Sequence, residues 1–135
     1  MTLSEPRLLA GVLAGSGAVA LVTGTLVAVR GPAGIPGGAP TSASNDSVLR
    51  FYAVWWAGQG AAMWRLSRDP ALPKEQLDTV CATTFLGGVA RLAAARRSGR
   101  PHPLFQVLTV AELVLPPVLV GLRRRITLSP PTPPG

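Results

Sequence analysis

The stretch Leu8–Val29 is 22 residues long and carries no charged side chain, with Arg7 before it and Arg30 after it. As an α-helix it measures about 33 Å, enough to cross a hydrocarbon layer of about 30 Å. A secretory signal also pairs a positive residue with an apolar core. That core is only about 7–15 residues long and ends at a small-residue cleavage site. Neither property fits Leu8–Val29, which is expected to be a retained transmembrane helix.

The rest of the chain repeats the pattern. Ser47–Trp64 is interrupted by Arg50, Leu77–Ala95 by Arg91, and Leu104–Leu122 by Glu112 and the pair Pro116-Pro117. A Gly/Pro/Ser-rich connection joins the first two runs, from Arg30 to Asn45. It has neither helical nor strand periodicity and reads as irregular. Asn45, Asp46 or Ser47 is placed to cap the helix that follows it. Polar turns built on Arg65, Arg68, Asp69, Pro70, Pro73 and Lys74, and on Arg96, Arg97, Gly99, Arg100 and Pro101, separate the later runs. The expected fold is all-α: a four-span transmembrane helical bundle over residues 1–125, with spans at about 8–29, 47–64, 77–95 and 104–122. Residues 126–135, with Pro130, Pro131, Pro133 and Pro134, are expected to form a Pro-rich disordered tail.

Composition narrows the function classes. Only 14% of the 135 residues are charged, against 47% hydrophobic, where a soluble domain carries about 25% charged residues. Such a chain has too little polar surface to solvate four apolar helices. Its net charge of +7 does not point to nucleic acid, because the Arg clusters flank the runs and no aromatic-interleaved basic patch occurs. Cys81 is the single cysteine, so no intrachain disulfide forms. One His and one Cys give no metal-ligand spacing, and no nucleotide fingerprint is present. No catalytic residues, metal or cofactor are expected. The chain reads as non-enzymatic.

An even number of spans puts both termini on one side. That side holds Arg7, Arg65, Arg68, Lys74 and Arg123 to Arg125; the other holds Arg30, Arg96, Arg97 and Arg100. Positive residues favour the cytoplasm. The expected location is the cell inner (plasma) membrane with cytoplasmic termini.

Small residues recur at helical spacing: Ala10, Ala14 and Ala18 beside Gly11 and Gly15, then Ala53, Ala57 and Ala61 beside Gly58 and Ala62, then Gly87-Gly88. Such stripes let helix backbones approach closely where lipid supplies no hydrophobic force. Charges inside a span are costly and usually face the bundle interior, pair or snorkel. Arg50 and Arg91 lie about 5 and 6 Å in from the loop-one face, and Glu112 about 12 Å in. All three fall in one half of the layer, with Asp46 at its mouth. A polar cluster Arg50–Glu112–Arg91 is therefore expected, with Asp46, Tyr52, Trp55 and Trp56 nearby and one indole N–H donating to Glu112. Pro116 and Pro117 lack N–H groups, which frees the carbonyls of Glu112 and Leu113 and suggests a kink. Three roles stay open for the cluster. It is a network fixing helix register, a pair of snorkelling arginines, or a pocket for a small anion or anionic lipid headgroup.

The order Asn45-Asp46-Ser47, Arg50-Phe51-Tyr52, Gly58-x-Gly60, Gly87-Gly88-x-Ala90-Arg91, Gly99-x-Pro101, Glu112-Leu113 and Pro116-Pro117 resembles the bacterial membrane family DUF4345. The resemblance runs over roughly residues 8–122. It implies four membrane helices and marks the Arg50, Arg91 and Glu112 positions as typical, and it supplies no activity. The expected role is a non-enzymatic structural or partner-binding subunit, its partners the lipid bilayer and a second copy or another membrane protein. The alternative is a transporter or binder of a small anion, anionic lipid or amphiphile.

Overall fold

The computed structural model describes residues 4–69 and 71–128. The described residues form four α-helices and no strand: α1 Glu5–Arg30, α2 Ala43–Leu66, α3 Lys74–Ser98 and α4 Pro103–Leu128. A single 3-10 turn, Gly31–Gly34, follows α1. Each apolar run lies within one helix and ends before the helix does.

Two helices are long and apolar enough to cross a membrane, Glu5–Gly34 (α1 with its 3-10 turn) and Pro103–Thr127 within α4. α2 and α3 fall below that hydropathy. α2 starts with Ser44, Asn45, Asp46 and Ser47, and α3 starts with Lys74, Glu75 and Asp78. Its three threonines then return their hydroxyls to their own helix, Thr79 to Glu75 O, Thr83 to Thr79 O and Thr84 to Val80 O, at 2.7–2.8 Å.

Helix boundaries differ from expectation at two places. Ser42 is the N-cap of α2, accepting from Asn45 N at 3.3 Å. Asn45, Asp46 and Ser47 therefore lie within the first turns rather than at the cap. The region offers several consecutive polar residues of similar capping preference, and the outermost of them gains the extra turn. At the other end α4 continues through Pro116 and Pro117 to Leu128. Ile126–Leu128 are thus helical rather than tail, and residues 129–135 lie outside the described residues.

The helices run alternately up and down and pair as two hairpins, α1 with α2 and α3 with α4; contact between the hairpins is sparse. The first pairing depends on small residues. A Cβ at Gly24 would stand 2.5 Å from Ala57 N, and one at Gly17 would stand 2.8 Å from Gly60 O. The buried stripe of α1 is Leu9, Leu13, Gly17, Ala20 and Gly24. Neither expected stripe of α1 is the one used: Gly11 and Gly15 have open space around them. On α2, Ala53 and Gly60 are buried while Gly58 also faces open space.

A cluster of Leu9, Leu13, Leu66, Leu77, Cys81 and Leu119 joins the hairpins at the end where both termini lie. Leu72 and Ile126 pack against it, and Arg123 Nε donates to Leu72 O at 3.0 Å. The opposite end carries the 31–42 and 99–102 connections, which meet where His102 approaches Gly37.

Candidate functional site

Arg50 sits one turn after Asp46 on α2, and its Nε lies 2.9 Å from Asp46 Oδ2. Its Nη1 donates to Ala28 O at 3.0 Å and to Val29 O at 2.7 Å. Those carbonyls belong to the last turn of α1, where no helical N–H remains to satisfy them. A cation at a helix C-terminus also meets the negative end of its dipole. Gly31 makes the approach possible. Its φ is +60°, and a Cβ there would collide with Asp46 Oδ1 and stand 2.7 Å from Arg50 Nη2. Arg50 is therefore a clasp between the end of α1 and the start of α2.

Arg91 and Glu112 pair across the second hairpin. Arg91 Nε lies 3.1 Å from Glu112 Oε1 and 3.0 Å from Oε2. Its N–H is aligned on Oε1 and leaves Oε2 buried without a hydrogen bond from the described residues. Gly88 sets the geometry, since a Cβ there would lie 3.0 Å from Glu112 Cβ. Arg91 follows Gly88 by three residues and so shares its face. The guanidinium also stands over the Phe105 ring at 5.5 Å. The Glu112 side chain is 7% exposed and that of Arg91 37%. The carboxylate is enclosed; the guanidinium reaches the edge.

The expected single cluster is therefore two separate pairs. Arg50 turns to Asp46, one turn away on α2, and to the carbonyls at the facing end of α1 instead of Glu112. Trp56 Nε1 donates to Thr23 Oγ1 at 3.2 Å rather than to Glu112. Tyr52 and Trp55 are 64% and 68% exposed, and Phe51 meets both rings edge to face. Trp55 takes no part in the interior.

Between the hairpins lie two cavities. The lower one, about 300 Å³, is bounded by residues of all four helices, among them Ser16, Trp56, Cys81, Thr84 and Glu112. The upper one, about 250 Å³, lies toward the 31–42 connection and takes in Tyr52, Arg91 and Phe105. Trp56 and Leu108 border both. One polar contact crosses near the lower cavity: Gln59 Nε2 donates to Val80 O at 3.0 Å and Thr84 Oγ1 at 3.2 Å. Gln59 carries no charge and so stands out less within the second run than Arg50 does. An amide inside an apolar run is the same signal in weaker form.

These features define an all-α protein of two helical hairpins, with a buried Glu112 paired to an edge-lying Arg91 and two helices long and apolar enough to cross a membrane. The chain belongs to the DUF4345 family: that family's profile, described as a domain of unknown function, matches residues 8–122. No curated protein and no solved structure matches the chain significantly.

Proposed function

We propose that the chain is a four-span inner-membrane protein that acts by binding, holding a small amphiphile between its hairpins. The observation that carries the membrane part is the outward face of every helix. α2 presents Phe51, Val54 and Trp55, and α3 presents Phe85, Leu86 and Val89, as α1 presents Leu21, Val22 and Val29 and α4 Val107, Val110 and Val114. Apolar surface on that scale is rare on a soluble monomer. In-helix hydroxyl bonds lower the polarity of α3 further, and the two arginines that interrupt the apolar runs, Arg50 and Arg91, are paired. The larger positive cluster at the terminal end favours cytoplasmic termini.

The binding part rests on the cavities. Two arginines do not converge on one point, since Arg50 is committed to Asp46 and the end of α1. That weakens the reading as an anion site and favours an amphiphile, whose body suits the mainly apolar walls. A second reading, a subunit docking on a membrane partner, draws on the exposed Phe51–Tyr52–Trp55 row.

Single-cysteine labelling tests the topology. In a Cys81→Ser background, Thr41→Cys, Arg68→Cys and Ser98→Cys are treated in intact cells with a membrane-impermeant maleimide. Four spans with cytoplasmic termini give labelling at 41 and 98, and at 68 only after permeabilisation. Crossing by α1 and α4 alone leaves all three positions on one side, and equal labelling of all three overturns the reading.

A further inference from the structure

Resting on the binding reading above, we infer that the two cavities form one elongated site for a long-chain carboxylate, its head on the outer end of the Arg91 guanidinium. Arg91 meets Glu112 through Nε, and Nε carries only one of the five N–H donors of a guanidinium. The two terminal nitrogens make no hydrogen bond among the described residues. Their end of the side chain belongs to the upper cavity. Of the two cavities, Arg91 and Phe105, over whose ring the guanidinium stands, border the upper, and Glu112 borders the lower. An Nη1–Nη2 fork offers two parallel N–H groups, the geometry that a carboxylate accepts.

Charge at this end selects the head. Arg30, Arg50, Arg91, Arg96, Arg97 and Arg100 gather toward the 31–42 and 99–102 connections, where Asp46 and Glu112 are the only carboxylates among the described residues. That surplus attracts an anion and repels an ammonium. A single guanidinium orients such a head, and burial of the chain holds it. The cavities, at about 250 and 300 Å³, are each at or below the small end of sites for organic ligands. They adjoin at Trp56 and Leu108, and Val80, Leu115 and Leu119 line the lower one. A chain that runs down past Trp56 therefore meets hydrocarbon walls. Tyr52, exposed on α2, borders the upper cavity, so the head enters near the polar boundary of the membrane and not from its middle.

Photolabelling of the purified full chain tests this. Four probes share one ten-carbon chain with a diazirine at its far end, and carry a carboxylate, a methyl ester, a hydroxyl or an amine as head. The carboxylate is expected to label lower-cavity residues such as Val80 and Leu115 saturably, about tenfold above the ester, from charge-assisted hydrogen bonds. Arg91→Leu combined with Glu112→Leu leaves neither charge without its partner, and is expected to erase that preference while the ester still labels. The comparison of probes on the unaltered chain stands whether or not this variant folds. A preference that survives in the folded double variant overturns Arg91 as the group that receives the head. Equal labelling by carboxylate and ester, or stronger labelling by the alcohol or the amine, overturns the carboxylate head and leaves the binding reading standing. Carboxylate labelling confined to upper-cavity residues such as Leu49 overturns the elongated site. No saturable labelling by any probe overturns both readings.

Discussion

Arg91 and Glu112 meet across α3 and α4 with the Arg91 Nε 3.1 Å from the Glu112 Oε1, yet the two side chains are buried to different degrees, 37% against 7% exposed. The pair is lopsided, and losing one partner is not equivalent to losing the other. Arg91→Leu leaves an enclosed carboxylate without its cation and is expected to cost about 3–5 kcal/mol. Glu112→Leu frees an arginine long enough to reach a polar surface, and is expected to cost less than half of that. Thermal unfolding of both single variants and the double variant in one detergent measures the difference. A double variant no less stable than Glu112→Leu is the expected sign of coupling; additive losses contradict it.

The α1–α2 contact makes a prediction about glycines that look alike in sequence. Gly24→Ala places a methyl group against the Ala57 backbone, which cannot move like a side-chain tip, and is expected to destabilise by about 1–3 kcal/mol. Gly11→Ala and Gly58→Ala enter open space and are expected to stabilise by about 0.5–1 kcal/mol through helix propensity. Unfolding midpoints of the three variants should move in opposite directions.

At the end of α1, Gly31→Ala and Arg50→Ala act on the same clasp. Arg50→Ala removes donors from two terminal carbonyls and is expected to cost about 1–2 kcal/mol. Gly31→Ala adds a Cβ at φ +60° and pushes Asp46 and Arg50 aside, at a cost of about 1–3 kcal/mol. Since the second change already disrupts what the first removes, the double variant is expected to fall short of the sum. Hydrogen exchange of the 28–34 amides reports the loosening locally.

The tryptophans provide an optical check on the outward face of α2. Trp55 is 68% exposed, while Trp56 is half-buried and bonded to Thr23. In vesicles containing brominated lipid, quenching is expected to fall sharply with Trp55→Phe and little with Trp56→Phe. Equal effects contradict a lipid-facing Trp55.

Much of the fold was legible because apolar runs bounded by arginine and proline leave few alternatives to helices. The Arg91–Glu112 pair was legible too: alternating helix direction brings the two residues into the same half of the bundle, within reach of a long arginine side chain, and Gly88 three residues before Arg91 marks a face of close approach. The partners of Arg50 were not. Ala28 and Val29 receive it with backbone carbonyls, and a count of side-chain charges cannot see acceptors at the end of a neighbouring helix. The packing stripe of α1 was also hidden. Ala and Gly are so frequent there that 10-14-18, 11-15 and 13-17-20-24 all look possible. Only the steric match with Ala53, Ala57 and Gly60 selects the last. The cavities leave no sequence signal, because they arise from incomplete filling between two hairpins that each pack well internally.

Each ion pair closes within a single hairpin, Asp46 with Arg50 in the first and Arg91 with Glu112 in the second. This bears on how the chain is assembled. The first hairpin holds the carboxylate that pairs with its own Arg50 and takes no charged partner for it from the second. Glu112 finds Arg91 already in place when α4 follows α3. The order of synthesis and the order of pairing are the same, so each half can settle its own arginine before the two are fastened together at their leucine-rich end.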